Sequence, residues 1–253
     1  GTNVLPVGEG FLASGLEGKG RMMEPEEIVS KIVDFFNPSL PLKGKKVLIT
    51  AGPTYEAIDP VRFIGNHASG KMGFALAEVA AQHGAEVILI SGPTHEKINH
   101  PSILLEKVIS AEEMFTSVKK HYPQVAIAIA AAAVADFKPK NSAKQKIKKQ
   151  QGLESIPMIP TVDILAYMGE HKSGQFLLGF ALETENELEN AKNKLTQKNL
   201  DGIVLNSLRD PESGFTVSTN KITYIDANST VKEFPLQSKL DCAKTIFGQI
   251  LKP

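Results

Sequence analysis

A single cysteine, Cys242, is all the thiol chemistry in this chain of 253 residues. No disulfide can close within it, which fits a reducing cytoplasm. Cys242 lies in an apolar C-terminal stretch and reads as a small buried helix residue. Neither sign of charge dominates, since 28 lysines and arginines face 28 aspartates and glutamates. A neutral chain gives no reason to expect wholesale binding to nucleic acid or an anionic membrane. Long hydrophobic runs are missing as well. The longest, Val125 to Ala135, falls far short of the roughly 20 residues that span a bilayer. The N-terminus carries no basic-then-apolar signal pattern. The six histidines form no HExxH or Cys/His arrangement, so a structural zinc site has no support.

What is present is a hydrophobic fraction of 42%, enough for one large α/β domain or two smaller ones. The organising stretch begins at Lys46-Val-Leu-Ile-Thr-Ala-Gly-Pro-Thr54, a short apolar strand broken at Gly52-Pro53. After a polar loop, Ser69-Gly70-Lys71-Met72-Gly73 leads into a helix of good helix formers that Gly84 closes. Glu86 to Ile90 follows as a second buried strand. The glycines at the helix entrance either only let helix and strand pack closely, or expose backbone N–H groups at the positive end of the dipole as a seat for phosphate. The polar Asn66, Ser69 and Lys71 beside them favour the second. Two nucleotide motifs nearly fit. Gly65-x-x-x-x-Gly70-Lys71 has P-loop spacing, but Met72 replaces the Ser or Thr and the loop is too long. Gly70-x-x-Gly73 with Glu86 is half of a dinucleotide fingerprint without its opening Gly-x-Gly turn.

Residues 1 to 40 differ in character. Gly8, Gly10, Gly15, Gly18 and Gly20 punctuate a loop, and a short helix runs from Glu24-Pro25 to near Phe36. Further on, Ile103 to Val108 reads as a strand and Ser110-x-x-Glu113 as a capping box for a helix through His121. Val125 to Ala135 reads as a central strand buried on both faces, its alanines leaving room for another backbone or a flat ligand. Asp136 follows at the carboxyl edge, where ligands of open α/β sheets bind. The lysines 138, 140, 144, 146, 148 and 149 then suit either a solvated loop or a cationic flap over phosphates. Leu153 to Ile159 is extended, and Thr161-Val-Asp163 caps a helix to about His171. Phe176 to Leu182 is a strand, Glu185 to Lys198 a polar helix, and Gly202 to Asn206 another strand. Lys221 to Asp226 with Thr230 to Phe234 form a hairpin, and a helix from Ser238 to Leu251 ends the chain. The alternation predicts an α/β fold of Rossmann-like type: a mostly parallel sheet with helices on both faces plus an antiparallel hairpin.

Six motifs, in order, carry a family likeness: Ile49-Thr-Ala-Gly-Pro-Thr54, Asp59-Pro-Val-Arg62, Asn66-His-Ala-Ser-Gly-Lys-Met-Gly73, Ala132-Ala-Val-Ala-Asp136, Lys146-Ile-Lys-Lys149 and Gly179-Phe-Ala-Leu-Glu-Thr184. Together they resemble phosphopantothenate–cysteine ligase (phosphopantothenoylcysteine synthetase). Residues 1–40 resemble the C-terminal tail and linker of the flavin-dependent decarboxylase domain that precedes it in bacterial bifunctional proteins, with 41–253 as the ligase domain. Ser14 stands where the decarboxylase family has its reactive cysteine, so neither flavin nor decarboxylation is expected here.

The resemblance implies that the carboxylate of 4′-phosphopantothenate attacks the α-phosphate of CTP, giving an acyl-cytidylate and pyrophosphate. The amine of L-cysteine then displaces CMP. It implies Mg²⁺, a homodimer and a cytoplasmic enzyme. Asn66 and Lys146 would be catalytic, and Arg62, Asn66 and Ala133 would bind substrate. The nucleotide would meet Gly52, Ser69, Gly70, Lys71, Gly73, Ala130, Ala131, Ala132, Asp136, Lys146, Thr161 to Ile164 (Asp163 included), Phe180, Lys194 and Lys198. The residues alone leave two other classes open: a nicotinamide-dependent NAD(P) reductase, which needs a full fingerprint, and a non-catalytic nucleotide-binding module.

Overall fold

The computed structural model describes residues 4–11, 15–36, 40–149, 155–207 and 218–251. Backbone contacts divide the chain into two units, Gly1–Leu40 and Pro41–Pro253. In the first, β1 (Gly8–Phe11) pairs antiparallel with β2 (Glu17–Arg21), followed by α1 (Pro25–Phe36). The glycine-punctuated segment was expected to be a loop, yet two stretches of it pair. Facing glycines at Gly10 and Gly18 do not prevent each strand from satisfying the other's backbone groups.

The second unit is built on an eight-stranded sheet. Its early elements are β3 (Lys46–Ala51), β4 (Tyr55–Ala57), β5 (Phe63–Gly65), α2 (Lys71–Gln82), β6 (Glu86–Ser91), β7 (Ile103–Lys107) and α3 (Ala111–His121). Then come β8 (Ile127–Ala130), β9 (Phe137–Pro139), β10 (Met158–Pro160), α4 (Ile164–Glu170), β11 (Phe176–Glu183) and α5 (Glu187–Gln197). The chain finishes with β12 (Gly202–Ser207), β13 (Thr219–Asn220), β14 (Ile222–Asp226), β15 (Val231–Glu233), β16 (Gln237–Ser238) and α6 (Lys239–Ile250). The sheet order is β15-β14-β12-β11-β8-β3-β6-β7, parallel from β7 to β12, with β14 and β15 antiparallel at one edge. The Rossmann-like architecture expected from the sequence is therefore the observed one. From β3 the chain winds outward to β6 and β7, then returns to β8 on the other side of β3. The gap between the carboxyl ends of β3 and β8 is thus the topological switch point, where such sheets open a crevice.

Period-two alternation in β3 supplies both cores. Val47, Ile49 and Ala51 join a cluster with Leu76, Val79, Ile246 and Phe247, beneath α2 and α6. Leu48 faces the other way, into a cluster with Met114, Val118, Met168 and Leu195, beneath α3, α4 and α5. Each such Leu or Ile is essentially fully buried and stabilises the fold by about 1.5–3 kcal/mol relative to exposure. Side-chain caps start three helices: Ser110 Oγ accepts from Glu113 N at 3.3 Å, Asp163 Oδ1 from Ala166 N at 2.8 Å, and Ser238 Oγ from Asp241 N at 3.1 Å. Among the described residues, no helix is long and apolar enough to cross a membrane.

Two further expectations need correction. Val125 to Ala135 is not one strand; the ladder holds only Ile127 to Ala130, because beyond Ala130 the chain leaves β11, which continues to Glu183, and follows the exit of β3 instead, bridging Pro53 at Ala133. The polar loop between β3 and α2 contains the β4–β5 hairpin, which the sequence reading missed because each strand is only three residues long. The hairpin is seated on α3: Tyr55 N donates to Ile109 O at 2.8 Å, and buried Glu56 accepts from Ala111 N at 2.8 Å. Of the extended stretch expected at Leu153 to Ile159, the first two residues lie outside the described residues, and β10 occupies its end.

Helix α2 meets β3 at closest range through Gly73, where an added Cβ would lie 2.4 Å from Ala51 Cβ. Gly73→Ala should therefore cost about 1–3 kcal/mol by overpacking, offset by no more than about 1 kcal/mol of helix propensity. Combining it with Ala51→Gly should restore most of the loss in urea denaturation. An unchanged midpoint for Gly73→Ala alone would mean the helix is free to back away.

Candidate functional site

The switch point is closed by backbone. Ala131 N donates to Thr50 O at 3.2 Å, Ala133 N to Gly52 O at 2.9 Å, and Thr54 N to Ala133 O at 3.2 Å. The buried hydroxyls of Thr50 and Thr54 accept from Ala132 N at 3.3 Å and Ala135 N at 2.9 Å. Gly52 turns at φ +72°, and a Cβ there would come 3.1 Å from Gly92 O. Across the turn, a Cβ on Gly92 would lie 1.7 Å from Pro53 O. The similar tripeptides Ala51-Gly-Pro and Ser91-Gly-Pro are therefore two adjoining strand exits packed against each other.

Over this floor opens a cavity of about 580 Å³. Its floor is Gly52 and Ala130 to Ala133, and one wall is the α2 entrance, Ser69 to Gly73. Gly70, the N-cap of α2, sits at φ +84° and has no side chain with which to cap the first turn. Thr94 Oγ1 donates to Ser69 O at 2.6 Å and so fixes the entrance from the β6 side. The opposite wall holds Asp136, Thr161 to Ile164, Phe180, Lys194 and Lys198. Thr161 is tied back to the floor, its N donating to Asp136 O at 2.9 Å and its Oγ1 to Ala135 O at 2.5 Å. Lys198 Nζ lies 2.6 Å from Asp163 Oδ2. Burial alone would raise the Asp163 carboxyl, but Lys198 and the Ala166 N–H outweigh it and leave it below the usual range. Lys194 donates to Phe180 O at 2.9 Å; burial lowers its pKa, against the pull of Glu183, Asp163 and Asp136.

Asn66 lies in an adjoining shallower recess, with Ile64, Phe137 and Met158, that shares Asp136 with the main cavity. Its amide nitrogen donates to Ala133 O at 3.0 Å and Val134 O at 3.2 Å, an orientation fixed by two carbonyls that only a donor can face. The donor edge that the resemblance assigns to substrate is here turned onto the alanine loop. Arg62 and Lys146 line neither recess. Arg62 instead joins a clamp on buried Asp59, which accepts from Val61 N at 2.8 Å, Arg62 N at 2.9 Å and Ile147 N at 3.1 Å, and from the Arg62 guanidinium. Arg62 Nη2 also donates to Ile147 O at 2.8 Å. The Asp59-Pro-Val-Arg62 and Lys146-Ile-Lys-Lys149 motifs thus meet in space, and the lysine loop is pinned one residue after Lys146.

Among the cavity residues that escaped the sequence reading are the polar Asn206, Asn220 and Lys239. Asn220 Nδ2 donates to Asn206 Oδ1 at 3.2 Å. Lys239 is only 7% exposed, and burial, with repulsion from Lys71, pushes its pKa down to about 8. One signal was available: Lys239 directly follows the Ser238 cap, and a cation in a helix's first turn opposes the dipole.

The Asp59 clamp yields a pH prediction. The Arg62 guanidinium, helped by the backbone donors, holds the Asp59 carboxyl well below the usual carboxylate range. A depressed carboxyl contributes its full stability above the unfolded value of about 4 and loses it as pH falls further. Asp59→Asn should lower the thermal midpoint at pH 7, and its gap to wild type should narrow below about pH 4. A pH-independent gap would assign the clamp to packing rather than charge.

Residues 42–252 match the family model described as the DNA/pantothenate metabolism flavoprotein C-terminal domain. The chain is 48% identical over 246 residues to the coenzyme A biosynthesis bifunctional protein CoaBC of Bacillus subtilis, covering 96% of this chain and 60% of that protein. It is also 48% identical over 256 residues to a protein named cysteine/cysteine sulfinic acid decarboxylase, from an unknown prokaryotic organism, covering 99% of this chain and 71% of that one. A crystal structure of the C-terminal domain of CoaBC superposes with a TM-score of 0.72 at 44% identity, over 84% of this chain and 97% of the other. The chain belongs to the DNA/pantothenate metabolism flavoprotein C-terminal domain family and is homologous to the C-terminal part of CoaBC.

Proposed function

We propose that the Pro41–Pro253 unit is a phosphopantothenate–cysteine ligase that uses CTP in coenzyme A biosynthesis. The observation that carries this reading is the cavity at the switch point, where the α2 entrance and four lysines face a floor of alanine backbone. Its volume of about 580 Å³ suits a nucleotide. Homology to the C-terminal domain of CoaBC supports the same role.

In the first step a carboxylate oxygen of 4′-phosphopantothenate bonds to the α-phosphorus. The bridging oxygen to the β-phosphorus leaves with its electron pair as pyrophosphate. In the second step the cysteine amine attacks the acyl carbon, CMP departs, and the amine loses a proton. Both steps concentrate charge on oxygens, so the site needs fixed donors and cations more than a nucleophile. The cytosine lies over Ala130 to Ala132, whose small side chains let main-chain groups reach the pyrimidine edge. The pantothenoyl carboxylate enters from the recess of Asn66, beside Asp136, which borders both spaces. Lys146 swings over the reacting phosphate from its anchor at Ile147.

Mg²⁺ supplies charge neutralisation on the triphosphate when bound. Among the described residues no group of three or more His, Cys, Asp and Glu side chains converges. A magnesium carried mainly by substrate phosphates needs only one or two protein carboxylates, and Asp136 and Asp163 line the cavity. Exposed Val61, Phe63 and Phe137 beside the second recess favour a homodimer through that face. Residues 1–40 are read as the tail of a flavin-dependent decarboxylase domain, and the enzyme as cytoplasmic.

Pyrophosphate release with 4′-phosphopantothenate and CTP, but much less with ATP, is the expected assay result, since a hydrogen-bonding site can separate bases strongly. Equal kcat/KM for CTP and ATP would overturn the CTP assignment. No release with either nucleotide would overturn the ligase reading, and tight stoichiometric NAD(P)H binding would favour a reductase instead.

Lys146→Ala should lower kcat by about 100-fold or more, as loss of a transition-state charge contact does. Lys140→Ala, in the same exposed lysine run, should change it less than about 3-fold. Similar small effects from both would make the run a solvated loop.

A further inference from the structure

The loop that carries the lysine run is tied down at several points. Lys140 N donates to Pro157 O at 2.8 Å, Ala143 N to Ile58 O at 2.9 Å, and Ile147 N to Asp59 Oδ2 at 3.1 Å. Arg62 Nη2 adds a further tie, to Ile147 O at 2.8 Å. Lys146 is bracketed by the ties at Ala143 and Ile147, and both lead to the one turn from Ile58 to Arg62. Consecutive Cα atoms lie about 3.8 Å apart, so the Lys146 ammonium can stand no farther from Ile147 than one peptide unit and its own side chain. Its place is therefore set by the place of the Ile147 anchor, and the exposed side chain moves from there.

Asp59 is the centre of that anchor. Its Oδ1 accepts from Val61 N and Arg62 N, within its own turn, while Oδ2 accepts from the Arg62 guanidinium and from Ile147 N. One oxygen shapes the turn and the other holds the loop. The Asp59 side chain is wholly shielded from solvent, and a carboxylate cut off from water holds its donors more firmly than an exposed one. Asp59 itself lines neither recess, so it is out of reach of a ligand there. The same turn runs on into β5 and then Asn66, which borders the second recess. A single buried carboxylate thus sets the lysine loop in register with the residue on the other side of the turn.

We propose that Asp59 is a positioning residue for Lys146: its Oδ2 fixes the Ile147 anchor from which the Lys146 ammonium reaches the reacting phosphate, in register with Asn66. The role rests on the ligase reading of the main cavity. An asparagine in place of Asp59 accepts through one atom only. With that oxygen kept on the turn, its NH2 faces the guanidinium and the Ile147 N–H, donors against donors. The loop is then released while the turn and the sheet stay. Lys146 remains in the chain but no longer starts from the right point.

The test is steady-state pyrophosphate release by wild type, Asp59→Asn, Lys146→Ala and the double variant, at a temperature where circular dichroism shows each one folded. Asp59→Asn should lower kcat by at least ~10-fold with KM for CTP within ~3-fold, as lost orientation at the transition state does. Added to Lys146→Ala, it should cost less than ~2-fold, because the group it positions is gone. A merely structural role lowers kcat alike in both backgrounds, and that outcome overturns the proposal, as does an unchanged kcat in Asp59→Asn. If Asp59→Asn does not fold, Ile147→Pro decides by the same cycle. It deletes the N–H that Asp59 accepts and leaves the pairing of Asp59 with Arg62 in place. If wild type releases no pyrophosphate, the ligase reading falls, and hydrogen exchange at the Ile147 amide judges the anchor alone. Slow exchange made at least ~10-fold faster by Asp59→Asn keeps the anchor, and exchange that the substitution leaves unchanged overturns it.

Discussion

The site depends on a backbone seam between two strand exits. Thr50 to Thr54, leaving β3, and Ala131 to Ala135, leaving β8, are joined by main-chain hydrogen bonds and by two buried threonine hydroxyls. Each net bond is worth only about 1 kcal/mol, but an unpaired buried group would cost more, so the seam is cooperative in effect. It fixes the floor, and from the floor everything else is referenced. Gly52 presses on Gly92, Thr161 hangs from Ala135 and Asp136, and Asn66 grips Ala133 and Val134. The result is a cavity whose base is built without a long side chain.

Around that floor the charges are arranged by helix. Cations stand at the starts of α2 and α6, at the positive ends of their dipoles, and those of α5 are held near carboxylates. The Asp59 clamp is a third device, with a different task. It keeps the Ile58–Arg62 turn and the lysine loop in register, also through Ala143 N donating to Ile58 O at 2.9 Å. In that role Asp59 and Arg62 act on position rather than on chemistry.

Much of this was legible in the residues. The parallel sheet followed from β-branched runs alternating with capped helices, and the α2 entrance followed from its glycines. What failed did so for identifiable reasons. Val125 to Ala135 is uniformly apolar, and periodicity cannot tell where such a run leaves the ladder; the end of β3 and the turn of the chain away from β11 decide that. The β4–β5 hairpin is too short for a pattern, and its stability comes from Glu56 reaching α3, a contact between residues 55 apart in sequence. Lys239 was hidden because its corner is assembled from two helices at opposite ends of the unit. Arg62 and Lys146 were picked as separate site residues, whereas their shared anchor at Asp59 emerges only from the folded chain.

The alanine floor has a consequence for inhibition. Recognition that relies on main-chain groups cannot be edited one side chain at a time, since every residue offers the same N–H and C=O. Replacing Ala131 or Ala132 by anything larger pushes new atoms into the cavity that the natural ligand must also enter. A compound that bonds only to this floor, and stays within the outline of the ligand it displaces, therefore leaves the protein few escape substitutions that do not also injure its own chemistry.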